Sequence, residues 1–200
     1  MARRPANAGQ TYPAEVPTRE EVGAVMKACS RKAPTGIRNR AIIVVMYRAG
    51  LRCLETLNLR LRDIDRDAGT IRIRRGKGGR ARTVGIDPSA LAVVERWIDT
   101  RSKLRLNGGA VFSTLAGGEL ATSYVRALLP RLARKAGIER RIHPHGLRHA
   151  FAVELAREGV SVAVIQLALG HSSLATTTVY LKGLGSQDVI DAMRERTWTA

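Results

Sequence analysis

Hydrophobic positions in the first part of the chain recur with the spacing of an α-helix. The segment Thr18-Arg19-Glu20-Glu21 combines a threonine N-cap with a glutamate three residues later, and predicts a helix from Thr18 to about Ser30. A second helix, from about Ile37 to Ala49, is apolar around most of its circumference, which is typical of a buried helix. Gly50 ends it, and a short helix is predicted from Arg52 to about Leu59.

A period of two replaces this pattern between residues 63 and 86. Three segments alternate between apolar and polar residues, and glycine-containing turns separate them, at 63–65, 70–74 and 82–86. Such a pattern predicts a three-stranded antiparallel meander.

Helical periodicity returns after the meander. Further helices are predicted at Asp87–Leu106, Thr122–Ala136, His145–Arg157, Val162–Leu169, Leu174–Leu181 and Gln187–Arg196. Ala110–Ser113 is interpreted as a short strand or an extended link. Residues 1–17 contain three prolines and predict a flexible leader, followed by one domain over residues 18–200. The fold class is therefore mainly α (α+β), helical with a small antiparallel sheet.

The charge balance indicates an anionic partner. Lys and Arg total 34 against 17 Asp and Glu, a net charge of +17, and 28 of the 34 are arginine. Arginine presents a planar fork that matches phosphate, which favours nucleic acid. A basic surface encoded by an arginine-rich genome is the alternative.

The sequence argues against a membrane-spanning protein, a secreted protein and a fold held by disulfides or by cysteine-bound metal. The longest apolar run, 41–47, is far too short to cross a membrane, and no hydrophobic region follows the basic start. The two cysteines, Cys29 and Cys53, fit neither a metal-binding spacing nor a disulfide framework. We expect a soluble cytoplasmic protein with no membrane partner.

The segment His143-Pro144-His145-Gly146-Leu147-Arg148-His149 is the strongest candidate for chemistry. On a helix, residues 145 and 148 share a face, so that a histidine could move a proton beside a phosphate held by an arginine. A solvated helix start is the alternative. His143, His145, His149 and His171 have no carboxylate or cysteine companions at a zinc spacing, and no metal is predicted.

Three further clusters are weak when taken singly. Arg52 and Glu55 could form an ordinary surface pair, and the glycine-rich tip at 75–80, with Lys77, is not a nucleotide-binding loop. Tyr180 follows the Gly170-His171 pair and could equally be a core residue.

The order of these residues is more informative than any one of them. The series Arg52, Lys77, His145, Arg148, His171, Tyr180 resembles the active site of the tyrosine recombinases, the phage integrase family. The matching stretches are AGLRCLETLNLRLRDID, RGKGGRARTVGI, HPHGLRHAFAVELAREG and ALGHSSLATTTVYL. The resemblance covers roughly Pro17 to Arg196 and implies the recombinase catalytic-domain fold.

The resemblance also implies a reaction. Tyr180 would attack the scissile phosphate of double-stranded DNA and form a 3′-phosphotyrosyl intermediate, while Arg52, Arg148 and His171 hold the non-bridging oxygens. Neither ATP nor any other cofactor would be needed. The activity implied is that of a site-specific recombinase that integrates, inverts or resolves DNA.

Other residues would assist that reaction. Lys77 would protonate the departing 5′ oxygen, and His145 would shuttle the proton of the tyrosine hydroxyl. Glu55 would support Arg52, and His149 would support the structure of the site.

Contacts to DNA are expected outside the active site as well. The helix Thr122–Ala136, with Arg126, Arg131 and Arg134, is our candidate for the element facing the groove, and a solvated basic face is the alternative. Arg80 on the hairpin is a further candidate. The helical core-binding domain usual in the family is not expected in this chain, so an accessory DNA-binding factor could supply that part.

The resemblance implies an assembly on DNA. The final helix could dock on a neighbouring protomer of a cyclic homotetramer associated with the nucleoid, or fold back on its own chain. A DNA-binding regulator without catalysis, a type IB topoisomerase and a metal-dependent nuclease remain as alternative functions.

Overall fold

The computed structural model describes residues 16–74, 81–181 and 184–194. Within these ranges the chain forms helices at α1 Arg19–Ala28, α2 Pro34–Arg48, α3 Cys53–Leu57, α4 Pro88–Lys103, α5 Thr122–Lys135, α6 Pro144–Arg157, α7 Val162–Leu169, α8 Leu174–Leu181 and α9 Ser186–Arg194. The strands are β1 Ile64–Asp65, β2 Thr70–Ile73 and β3 Arg82–Gly85. The leader predicted for residues 1–17, apart from its last two residues, lies outside the described residues.

The three strands form the predicted antiparallel meander in the order β1-β2-β3. Ile71 of β2 lies opposite Ile64 of β1 and Val84 of β3, so the three apolar side chains share the buried face. Ile73 lies opposite Arg82, which places the arginine where the β2–β3 hairpin leaves the sheet.

Local signals place the first two helices. Thr18 Oγ1 accepts a hydrogen bond from the Glu21 backbone N–H at 3.2 Å, and Glu21 Oε2 accepts one from the Thr18 N–H at 2.8 Å, which confirms the capping box. The second helix begins at Pro34, three residues before the predicted start, because proline in the first turn gives up no helical hydrogen bond.

The main core surrounds α2. Ile42, Val45 and Met46 are fully buried, and α2 packs against α4 and α6. A second, smaller apolar cluster consists of Phe151, Ala152, Ile165 and Leu169, where α7 meets α6. The site described below lies where these two clusters meet.

The structure defines two details that the sequence left open or approximate. Ala110 and Ser113 form isolated bridges, to Arg60 and Glu119, so the segment between them is a link and not a strand. Helix α6 begins at Pro144, one residue before the predicted start, because His143 caps it. None of the helices in the described part of the chain combines the length and the apolar character that crossing a bilayer requires.

Candidate active site

Arg52 is positioned by the end of α2 and the start of α3. Gly50 has a φ of +64°, and a Cβ there would lie 2.3 Å from Cδ1 of Phe151, so glycine alone fits this close approach. The chain then runs in extended conformation through Arg52. Glu55 holds it there: Oε2 accepts from the Arg52 backbone N–H at 2.9 Å, and Oε1 accepts from Arg52 Nη1 at 2.8 Å.

Glu55 also binds two other arginines. Arg82 donates from Nη1 to Oε1 at 3.0 Å and from Nη2 to Oε2 at 2.8 Å, and Arg148 Nη1 lies 3.9 Å from Oε2. Burial would raise the pKa of the Glu55 carboxyl, but the hydrogen bonds from Arg82 and Arg52 lower this pKa to about 2. An ionised carboxylate therefore lies among three guanidinium groups.

Arg148 is the most buried of these arginines, with 1% of its surface exposed. It lies in the first turns of α6 and donates to the backbone carbonyls of Gly50 and Leu169. Its Nη2 atom also lies 3.1 Å from Nε2 of His171. A buried guanidinium is stable only where its donors are paired, and these contacts fix its position.

His171 follows a helix end that only glycine accommodates easily. Gly170 has a φ of +61°, its N–H donates to Leu167 O at 3.0 Å, and the His171 N–H donates to Gln166 O at 3.1 Å. These two bonds are those of a Schellman motif. The motif turns the chain sharply at the end of α7 and directs His171 toward Arg148.

The hydrogen bonds of His171 determine which ring nitrogen carries its proton. Arginine has no acceptor, so Nε2 accepts from Arg148, and Nδ1 donates to Thr177 Oγ1 at 3.1 Å. Burial and the positive charges of Arg148, Arg52 and Arg82 lower the pKa of His171 to about 4. The imidazole is therefore neutral near pH 7.

Three more histidines surround the start of α6. His143 Nδ1 accepts from the Gly146 N–H at 3.1 Å, and the rings of His143 and His145 are stacked with centroids 6.4 Å apart. Desolvation, followed by the charges of His149, His143 and Arg148, lowers the pKa of His145. His149 is buried. Within the described ranges, no three His, Cys, Asp or Glu side chains are grouped as metal ligands.

A pocket of about 350 Å³ opens in front of these groups. It is lined by Arg52, Cys53, Arg126, Arg141, His143, Pro144, His145 and Arg148. Four of the lining residues are arginines, so the pocket favours an anion with several oxygens, such as a phosphate group.

The structure brings together part of the predicted site. Arg52, His145 and Arg148 line the pocket, and His171 joins them through Arg148. Lys77 and Arg80 fall within residues 75–80, which lie outside the described residues. Tyr180 belongs to α8, and its side chain lies outside the described part of the chain.

The basic residues of α5 do not share one location. Arg126 lines the pocket. Arg131 and Arg134 are exposed farther along the helix, and the charge of Arg131 acts on Cys29 of the α1 end. Lys135 donates to the carbonyl of Ala28 in the same region. Arg126 thus lies at the pocket and Arg131 near the end of α1, and the expectation that the α5 arginines face the groove of DNA stays a prediction.

Arg82 and Arg141 belong to the site but were not singled out from the sequence. For Arg82 a signal exists. It lies two and four positions before the buried Val84 and Ile86, so it shares their inward face, where an arginine needs an acidic partner. Arg141 follows Arg140 in a basic pair that carries no signal beyond charge.

Comparison with known proteins gives consistent matches. The family model described as "Phage integrase family" matches residues 15–184. Tyrosine recombinase XerA of Thermococcus kodakarensis is 39% identical over 165 residues, covering 82% of this chain and 57% of that protein. Tyrosine recombinase XerC of Actinobacillus pleuropneumoniae is 34% identical over 161 residues, covering 80% of this chain and 52% of that protein. The chain spans about half the length of these relatives.

Solved structures match over almost the whole chain. A crystal structure of XerA recombinase superimposes with a TM-score of 0.82 at 27% identity, covering 98% of this chain and 70% of that one. XerH recombinase bound to its palindromic difH substrate superimposes with a TM-score of 0.75 at 25% identity, covering 92% of this chain and 54% of that one. The order of the site residues along the sequence, the fold and these matches together show that this chain belongs to the phage integrase family of tyrosine recombinases.

Proposed function

We propose that this chain is the catalytic domain of a site-specific DNA recombinase that works through a 3′-phosphotyrosyl intermediate. The observation that carries the proposal is the linkage of Arg52, Arg148 and His171 through Glu55 and one hydrogen bond, beside an arginine-lined pocket. The similarity to XerA and XerC and the DNA-bound XerH structure support it.

The arginines stabilise charge on the phosphate. As a nucleophile adds to phosphorus, negative charge accumulates on the non-bridging oxygens, and each well-placed donor there contributes on the order of 10² to 10³ in rate. Arg52 and Arg148, which both line the pocket, donate to these oxygens. His171 becomes a third donor when it carries a proton on Nε2.

Proton transfers accompany the exchange of bonds. The Tyr180 oxygen forms a bond to phosphorus, and its proton passes to His145, whose lowered pKa leaves it neutral and able to accept. The bond from phosphorus to the 5′ oxygen breaks, and that oxygen takes a proton from Lys77. A 5′ hydroxyl of another strand then attacks the phosphotyrosine in the reverse reaction, which joins the exchanged strands.

Partners follow from the charge and from the family. The net charge of +17 favours binding to the DNA backbone, with Arg126, Arg131, Arg134 and Arg80 as contacts. Residues 18–200 form the catalytic domain in this proposal. It acts as a homotetramer on DNA in the nucleoid, and the protomers exchange helix α9. An accessory DNA-binding factor supplies further contacts to the DNA.

Covalent capture of DNA tests the proposal. The protein is incubated in EDTA with supercoiled plasmid carrying the DNA that flanks its gene, and covalent adducts are trapped with SDS. We expect adducts with the wild type and with Tyr124→Phe, the matched tyrosine control, and none with Tyr180→Phe. Retention of adducts by Tyr180→Phe would refute the nucleophile assignment.

The trapped ends distinguish the alternatives. A recombinase gives ends at one sequence and exchanges strands between two copies of that site. A topoisomerase relaxes the plasmid without exchange, and a silent regulator binds in a salt-sensitive manner without any adduct.

Lys77→Ala should slow cleavage and be rescued by a sulfur leaving group at the 5′ bridging position.

A further inference from the structure

Arg82 holds together the parts of the site described above. Its fork binds both oxygens of Glu55, at 3.0 and 2.8 Å, and its Nε donates to the carbonyl of Ala168 at 2.9 Å. The side chain is 11% exposed, and a Cβ on Gly170 would come within 3.0 Å of its Cδ. Arg82 thus fills the space between α3, where Glu55 lies, and the turn that leads to His171.

Arg52 and Arg82 bind the same carboxylate, that of Glu55. Arg52 holds Glu55 with one guanidinium nitrogen, whereas Arg82 makes the two-pronged contact. The two-pronged contact is the stronger geometry between a guanidinium and a carboxylate. Without Arg82, both oxygens of Glu55 would become available to Arg52, whose fork would then turn away from the pocket and onto the carboxylate.

We propose that Arg82 is a positioning residue for Arg52: by occupying both oxygens of Glu55, it keeps the Arg52 fork directed at the pocket. Arg82 is not among the residues that line the pocket, so in this role it acts through Arg52. The inference rests on the proposed function, because the consequence of a misdirected Arg52 is the loss of charge stabilisation on the scissile phosphate.

The hydrogen bond from Arg82 to the carbonyl of Ala168 also attaches Arg82 to the end of α7. Ala168 lies in the last turn of α7, three residues before His171. The carbonyls at a helix C-terminus have no partner within the helix and attract cations. Arg82 therefore sets the separation between the Glu55–Arg52 pair and the His171 turn.

A neutral phosphate analogue separates positioning from general structure. Single-turnover cleavage is measured on the DNA site recovered by the capture experiment, with either the natural phosphate or a methylphosphonate at the scissile position. The methylphosphonate lacks the charge that Arg52 stabilises, so a defect that acts through Arg52 should be much smaller on it. The variants are Arg82→Ala, Arg82→Lys, Arg52→Ala and, as a matched control, Arg48→Ala.

We expect Arg82→Ala and Arg52→Ala to slow cleavage of the phosphate substrate by roughly 10- to 100-fold, the range for a misplaced or lost donor. On the methylphosphonate, both variants should cleave at a rate within roughly a few fold of the wild type, because the charge that the donor stabilises is absent. Arg48→Ala removes ion pairs to Asp87 and Glu154 and should cleave like the wild type once corrected for the folded fraction.

Two results would overturn the role of Arg82 and leave the proposed function standing. Cleavage of the phosphate substrate by the Arg82 variants at the wild-type rate would do so, and so would an equal loss on both substrates. If Arg82→Ala does not fold, Arg82→Lys, which keeps the charge without the fork, decides by the same criteria. A wild type that forms no Tyr180-dependent adduct would instead overturn the proposed function, and this inference with it.

Discussion

Arg148 and His171 share one hydrogen bond, from Nη2 of the arginine to Nε2 of the imidazole, at 3.1 Å. In this arrangement the nitrogen that would donate to a phosphate oxygen is accepting a hydrogen bond. A bound phosphate brings negative charge, which favours protonation of His171 and releases the Arg148 N–H toward the phosphate. DNA binding should therefore be coupled to uptake of a proton at His171.

The low pKa of His171 should make the stability of the protein depend on pH. In the DNA-free protein the ring resonances of His171 should titrate at a pKa of about 4, below the ordinary 6.5. Between these values the unfolded chain binds the proton and the folded chain does not, so the free energy of unfolding should fall as pH decreases through this window. NMR titration and urea unfolding measure both effects, and a titration of His171 near 6.5 would contradict the assignment.

Thr177 should fix the proton of His171 on Nδ1. Thr177→Val keeps the shape of the side chain but removes the hydroxyl that accepts at 3.1 Å. The loss of a hydrogen bond of about 1 to 2 kcal/mol predicts a roughly tenfold slower covalent capture. The control is Thr178→Val, because the Thr178 hydroxyl donates to the backbone carbonyl of Leu174, within its own helix. Equal rates for the two variants would remove Thr177 from the site.

Arg148→Lys should not be conservative. Lysine cannot reach the carbonyls of Gly50 and Leu169 and His171 at once, since it lacks the fork. We expect capture to fall by about 10² to 10³. Arg101→Lys alters another buried arginine that binds a backbone carbonyl, outside the site, and should reduce stability without slowing capture by the folded protein. Similar rates for both variants would argue against a catalytic role.

Gly170→Ala should impair both stability and capture. A φ of +61° costs alanine about 1 to 2 kcal/mol, and the new methyl group would press on Arg82. Gly137→Ala introduces similar strain, at a φ of +72°, where no atom lies within 4 Å of the added methyl. Thermal unfolding should show a loss for both, and only Gly170→Ala should reduce the rate of capture. A normal rate for Gly170→Ala would show that this turn tolerates displacement of Arg82.

Patterns close together in the sequence predicted the local structure well. The capping box of α1 and the alternating strands depend on residues within a few positions of each other, and both are present. The pairing of Arg52 with Glu55 is likewise local, three residues apart.

Contacts between distant segments could not be predicted in this way. Arg148 binds Gly50 from 98 residues away, and its acceptor is a backbone carbonyl, which every residue carries. Arg82 reaches Glu55 across 27 residues, and alternation on β3 indicates only that an acidic partner is needed. That Arg126 lines the pocket while Lys135 binds the carbonyl of Ala28 depends on how α5 packs against α1, which composition does not encode.

The small apolar cluster under α7 has a consequence for local unfolding. With four buried members, it holds the α7 end of the molecule much less strongly than the main core holds α2, and Arg82 and Arg148 tie that end down through the carbonyls of Ala168 and Leu169. Amide protons of α7 and α8 should therefore exchange with solvent through a local unfolding that requires less free energy than the unfolding that exposes α2. Because a bound phosphate would hold Arg148 in place, that opening should become rarer on DNA, and the helix of Tyr180 would be most ordered when its substrate is present.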